Sequence, residues 1–170
     1  TGSEGTGTNL RGRNGCDLGF GMFIHFSLDS QLGVVISHSM VGASDDYPNR
    51  FINELPQTFD PYKFDPYQIA KLAKLAGMKY IVFTTKHHSG FCMWDTKTTE
   101  FKITNIPYGK NLMKVFVEGT WKAGLAIGFY YSPEDFKFLR DNSVTINRGE
   151  VKLDGKTESA YNDLIRRQTR

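Results

Sequence analysis

An α/β fold with parallel strands is the class this sequence predicts, on three observations. Apolar, β-branched and aromatic runs of strand length recur, helical patterns with clear start and stop signals separate them, and the long insertions all follow strands.

The first strand lies within 19–26, where Phe20, Met22, Phe23, Ile24 and Phe26 crowd together as in a strand buried on both faces. The first clear helix opens at Asp65-Pro66, an N-cap followed by the one residue whose missing N–H costs nothing in a first turn. Ile69, Leu72, Ala73, Leu75 and Ala76 then recur at helical spacing, and Gly77 stops the pattern. A second strand follows at once, Met78-Lys-Tyr-Ile-Val-Phe-Thr-Thr85. The cycle repeats: a helix over 111–123 through Leu112, Val115, Phe116 and Trp121, a stop at Gly124, and a third strand Leu125-Ala-Ile-Gly-Phe-Tyr-Tyr131. A last helix is expected over 158–170, where Arg166, Arg167 and Arg170 suit the negative end of its dipole.

Strand, loop, helix and strand in this order predict parallel pairing through right-handed crossovers. The insertions 27–64, 86–110 and 132–157 all follow strands, whereas helix-to-strand connections are nearly nil. That asymmetry is expected of a (β/α) barrel of TIM type, whose working face is built at strand C-termini. A complete barrel takes about 250 residues, and these 170 hold only about the first three β/α units. The expectation is therefore a lead-in over 1–18, flexible for want of periodic apolar residues, and an N-terminal portion of a barrel over 19–170. A smaller open α/β sheet is the alternative, with two unpaired edges as its weakness.

Composition narrows the function classes. Twenty-one basic and 18 acidic residues are interspersed to a net +3, which argues against a nucleic-acid surface. No apolar run reaches the roughly 20 residues of a membrane span, so no membrane insertion is expected. Cys16 and Cys92 allow one disulfide at most and match no zinc spacing.

Three of the four histidines fall at strand C-terminal ends, His25 after the first strand and His87 and His88 after the second. A single strand histidine is more often a hydrogen-bonded core residue, but three on one rim suggest a site. Tyr130 and Tyr131 close the third strand, and because alternate side chains face opposite ways only one can enter by the same route. Tyr131, nearer the rim, is the expected one. Imidazole and phenol together suit a sugar, which offers hydroxyls needing neutral donors and acceptors and an apolar face for an aromatic ring. The loops add Asp45, Asp46, Tyr47, Arg50 and Glu54, then Trp94, Asp95 and Lys97; any single loop aspartate is more often a solvated turn residue. Carboxylates matter because glycoside hydrolysis typically uses two. Metal chelation by His87 and His88 would require that their strand had already ended.

The strings Phe20-Gly-Met-Phe-Ile-His-Phe26, Ala76-Gly-Met-Lys-Tyr-Ile-Val-Phe-Thr-Thr-Lys-His-His-Ser-Gly-Phe-Cys-Met-Trp94 and Gly124-Leu-Ala-Ile-Gly-Phe-Tyr-Tyr-Ser132 resemble the α-L-fucosidases of glycoside hydrolase family 29. The resemblance covers roughly 19–135. It implies a retaining exo-hydrolase that removes terminal α-L-fucose from glycans on a variant (β/α) barrel, with no metal or organic cofactor. It also implies a secreted, periplasmic or lysosomal location and a fucosylated oligosaccharide or glycoconjugate as partner. His25, His87 and His88 resemble the family's fucose-hydroxyl ligands, Tyr131 its active-site tyrosine, and Asp45 an acidic residue that contacts sugar or serves as acid/base; Trp94 joins them as a candidate sugar contact. Phe26 and Ser89 stand where the family often has Trp and Asp, which implies an altered subfamily. The family's nucleophile is an aspartate on the strand after the helix that here runs to Arg170, so it is expected outside these 170 residues. The expected activity then depends on the remainder of the same polypeptide, or another chain, to complete the barrel. The alternative is a fragment that binds fucose without catalysis.

Overall fold

The structure is a computed structural model, and it describes residues 22–24, 46–144, 146–147 and 150–170. Three parallel strands form its sheet in the order β1 (Met22–Ile24), β2 (Tyr80–Lys86), β3 (Ala126–Tyr131). Met22 pairs with Ile81 and Ile24 with Phe83; on the other side Tyr80 pairs with Ala126 and Thr84 with Tyr130. The expected parallel α/β arrangement is present. The lead-in expected over 1–18 lies outside the described residues.

Each crossover carries a helix. Between β1 and β2 come α1 (Tyr47–Asn53), α2 (Leu55–Thr58) and α3 (Pro66–Leu75), and between β2 and β3 comes α4 (Leu112–Lys122). After β3 follow α5 (Phe136–Asp141), a short antiparallel pair of β4 (Ile146–Asn147) and β5 (Glu150–Val151), and α6 (Gly155–Gln168). Helices α1, α2 and α5 and the β4–β5 pair arise inside segments that the sequence presents only as insertions. Their apolar positions are too few to show a period.

The boundary chemistry of α3 and α4 is the same. Asp65 accepts from the Gln68 N–H at 3.1 Å, and Asn111 accepts from the Lys114 N–H at 3.0 Å. At the other ends Met78 N donates to Ala73 O and Gly77 N to Lys74 O, while Leu125 N donates to Thr120 O and Gly124 N to Trp121 O. Both are Schellman closures, with Gly77 at φ 82° and Gly124 at φ 75°. This reversal leads each helix into the next strand within a few residues, which keeps the strands parallel and puts the long connections at the opposite end.

Helices α3 and α4 cover one face of the sheet. Ile81 and Phe83 of β2 are fully buried there with Ala70, Ala73, Leu112 and Phe116. The Phe83 ring stacks on Phe116 at 4.8 Å and on Phe64 at 6.1 Å. The two helices approach closely at Gly119, where a β-carbon would stand 2.8 Å from the Tyr67 backbone nitrogen.

Candidate functional site

The site candidates that the structure describes gather at the C-terminal end of β2, where the ladder to β3 becomes irregular. Thr84 pairs with Tyr130 and Lys86 with Tyr131, so Thr85 is an extra residue on β2. Its hydroxyl donates to Tyr130 O at 2.9 Å and its carbonyl accepts from Met93 N at 2.9 Å, which ties the following loop back to the strand. The strand ends at Lys86, so His87 and His88 lie just beyond it. Their rings sit side by side at 4.1 Å, an adjacency that a continuing strand would forbid.

His87 and His88 are both half-buried, and each leans on the end of β3. The His87 ring stacks on Tyr130 at 5.7 Å and 24°. Nδ1 of His88 lies 2.6 Å from the Ser132 hydroxyl and 3.0 Å from Oε2 of Glu134. His88 is also held by its backbone, because its carbonyl accepts from Phe136 N at 2.7 Å.

Beside this pair lies a buried ion pair, a partnership with no local sign in the sequence. Lys86 is almost completely buried and its Nζ donates to Glu134 O at 2.8 Å and to Oδ2 of Asp135 at 3.3 Å. Loss of hydration pushes its pKa down, and the neighbouring Asp135 carboxylate opposes that shift. Asp135 has a second task, accepting through Oδ1 from Phe138 N at 2.9 Å as the N-cap of α5. Gly90 makes room for it: at φ 90°, a β-carbon there would fall 2.3 Å from Asp135 Oδ1. One carboxylate thus ties the end of β2 to the segment after β3, with the loop after β2 packed closely over it at Gly90.

The two tyrosines take different partners. Tyr130 is the one stacked against His87. The Tyr131 ring instead lies under the Lys86 ammonium, 5.0 Å from it, and its hydroxyl donates to Gln168 of α6 at 2.8 Å. Burial pushes the Tyr131 phenol pKa up. Tyr130 thus stands beside the histidines, while Tyr131, the tyrosine expected at the rim, lies between Lys86 and Gln168. Gln168 also donates to Thr98 at 2.9 Å, and Tyr161 of α6 donates to Pro133 O at 2.9 Å while accepting from Asp135 N at 3.0 Å. Helix α6 therefore braces the floor of the site by polar contacts. Cys92, also buried there, has its thiol pushed up to about 12 by burial, so it stays protonated and unreactive at neutral pH.

Trp94 is half-buried in the loop after β2, one residue beyond Met93, whose carbonyl accepts from Met113 N at 2.9 Å. Asp95 is exposed and is held below the usual carboxylate range by hydrogen bonds from Lys102 and Thr104. His25 and Asp45 lie outside the described residues. Among the described residues no group of three or more His, Cys, Asp or Glu side chains is arranged to hold a metal ion, and no helix is long and apolar enough to cross a membrane.

What the sequence reasoning missed here is Lys86, Ser132, Glu134, Asp135 and Gln168. The available signal for Asp135 was its position as an N-cap three residues before Phe138, in a stretch read as an irregular insertion. For Lys86 it was its place directly after the strand run that ends at Thr85, since a lysine is almost never fully buried without a partner.

The chain is similar to known proteins in sequence and in fold. The sequence pattern of the family described as Alpha-L-fucosidase matches residues 16–169. Alpha-L-fucosidase 1 of Arabidopsis thaliana is 30% identical over 106 residues, covering 61% of this chain and 21% of its own length. Among solved structures, a family 29 α-L-fucosidase of Bacteroides thetaiotaomicron, trapped as a covalent intermediate in complex with 2-fluoro-fucosyl fluoride, superposes with a TM-score of 0.66 at 27% identity. It covers 87% of this chain and 35% of its own. The α-L-fucosidase isoenzyme 1 of Paenibacillus thiaminolyticus gives a TM-score of 0.60 at 32% identity, covering 88% and 36%. The chain thus spans about a fifth of the plant enzyme and about a third of each of these solved structures. With its motifs, its parallel strands and the matched span in agreement, the chain belongs to the α-L-fucosidase family.

Proposed function

We propose that this chain is the N-terminal portion of a (β/α)-barrel catalytic domain of TIM type, in a retaining exo-glycosidase that releases terminal α-L-fucose from glycans. The observation that carries this reading is the His87–His88 pair, side by side just beyond β2, with Tyr130 stacked on one ring and Ser132 and Glu134 on the other. The trapped covalent intermediate of the Bacteroides relative supports retention, since a retaining hydrolase passes through a glycosyl-enzyme.

In this reading the imidazoles bind sugar hydroxyls by neutral hydrogen bonds, and Tyr130 offers an aromatic wall for the sugar's apolar face. Their rings are braced through the backbone and the Lys86–Asp135 pair, so little freedom remains to be lost when the sugar arrives. Trp94 in the loop after β2 and His25, the residue that follows β1 in the sequence, are further candidate sugar contacts, and Asp45 is the candidate acid/base or sugar contact. The attacking aspartate comes from the strand that follows α6 in the family pattern, beyond the residues of this sequence. Covering of the β3 edge by that strand would complete both the sheet and the carboxylate pair.

The test is hydrolysis of an aryl α-L-fucoside. The full-length protein is expected to turn over and release α-L-fucose with retention, seen by NMR of the first-formed product. His87→Ala is expected to raise KM about tenfold, the size of a well-made hydrogen bond lost from a bound sugar. The 170-residue chain alone is expected to be inert; sustained turnover by it would overturn the assignment of the nucleophile to a later strand. Fucose binding by calorimetry without any turnover in the full-length protein would instead establish the purely carbohydrate-binding role.

A further inference from the structure

We propose that Glu134 is a positioning residue that fixes the tautomer of His88, so that its Nε2 meets the ligand as a hydrogen-bond acceptor. The inference rests on the reading above only in taking the sugar as that ligand. Nδ1 of His88 is 3.0 Å from the Glu134 carboxylate in an ion-pair contact, while the aligned hydrogen bond at this nitrogen is with Ser132; a carboxylate, which has only lone pairs and negative charge to offer, favours a proton rather than a lone pair on Nδ1. The proton of the neutral ring therefore sits on Nδ1, and the lone pair is left on Nε2. Ser132, 2.6 Å from the same nitrogen, cannot impose this by itself, because a hydroxyl both donates and accepts.

The carboxylate is held where it can act. The backbone carbonyl of Glu134 accepts from Lys86 Nζ at 2.8 Å, and the next residue, Asp135, is ion-paired with the same ammonium. The buried lysine thus anchors the loop whose side chain orients the rim histidine, and Phe136 N on the His88 carbonyl closes the arrangement from the other side. The chain of support runs from the interior to the sugar-facing atom. It gives Lys86 and Asp135 a reason to lie directly beside a polar rim.

The experiment is two-bond 1H–15N correlation of 15N-histidine-labelled full-length protein at about pH 9, well above the roughly 6.5 at which an ordinary imidazole titrates. His88, assigned by comparison with His88→Gln, is expected as the Nδ1–H tautomer. In Glu134→Ala only the ambivalent hydroxyl remains, and the Nε2–H form is expected to become prominent; in Ser132→Ala the wild-type tautomer is expected to persist. An Nε2–H tautomer in the wild type, or a signal unchanged by Glu134→Ala, would overturn the inference. The aryl fucoside KM separates it from the functional reading: Glu134→Ala is expected to raise KM about fivefold with kcat changed less. A tautomer change with no effect on KM would support the role of Glu134 and remove His88 from the sugar's ligands.

Discussion

The two flanks of β2 are built differently. Toward the loops, the molecule is tied by polar contacts that are mostly buried: Lys86, Asp135, Ser132 and Thr85 are nearly inaccessible to water, and all have partners. Toward the outer side of β3 and α4, large apolar groups face solvent, with Phe129 at 52% and Trp121 at 71% exposure, and Leu75 of α3 at 86%. Among the described residues no strand pairs with the far edge of β3. The first region is complete in itself, and its contacts converge on the histidines. The second has the character of a surface made to be covered. Site geometry and flank burial are therefore separable in this fold, and substitutions on the two sides should differ sharply in cost.

The largest effect is expected from Asp135→Ala. It leaves the Lys86 ammonium buried without its counter-charge and removes the cap of α5, a loss of about 3–5 kcal/mol for a broken buried pair. Urea denaturation of the full-length protein measures it, and a loss under 1 kcal/mol would show that Lys86 finds another partner. Next comes Gly90→Ala. Its positive φ and the clash with the Asp135 carboxylate are expected to cost about 2 kcal/mol, again by urea denaturation. A wild-type midpoint would mean that the loop after β2 is not packed closely over Asp135.

Tyr131→Phe removes one hydrogen bond to Gln168 while keeping the ring under Lys86. About 1 kcal/mol of stability should be lost with KM for an aryl fucoside unchanged. A KM rise of tenfold or more would identify Tyr131 as a sugar contact. The smallest effect is expected at the flank. Trp121→Gln on the 170-residue chain should change its stability by less than about 0.5 kcal/mol, as for a surface position. It should also reduce self-association in sedimentation. A large destabilisation would mean that the outer face of α4 is already packed within this chain.

Much of the architecture was legible because its signals are local. Asp65-Pro66 with Gly77, and Asn111 with Gly124, announce α3 and α4, and the Schellman closures are those expected of glycine just past a helix. The strands were readable for the same reason, as short apolar runs directly after those stops. Helix α5 was not, since its cap Asp135 is followed by only six helical residues. In the site, the histidine pair was visible by its place after a strand. Its brace was not, because it is made between segments more than 40 residues apart: Ser132 meets His88, and Asp135 meets Lys86.

By itself the sequence determined the parallel α/β class, the helix boundaries and the clustering of histidines at strand ends, since caps, periodicity and apolar runs act over a few residues. Only the tertiary structure decided which tyrosine stands beside His87, why a lysine is buried beside the rim and which carboxylate meets His88. Those outcomes depend on an extra residue in β2 that resets which side chains face which way, and on desolvation that obliges each buried charge to find its partner across the sheet.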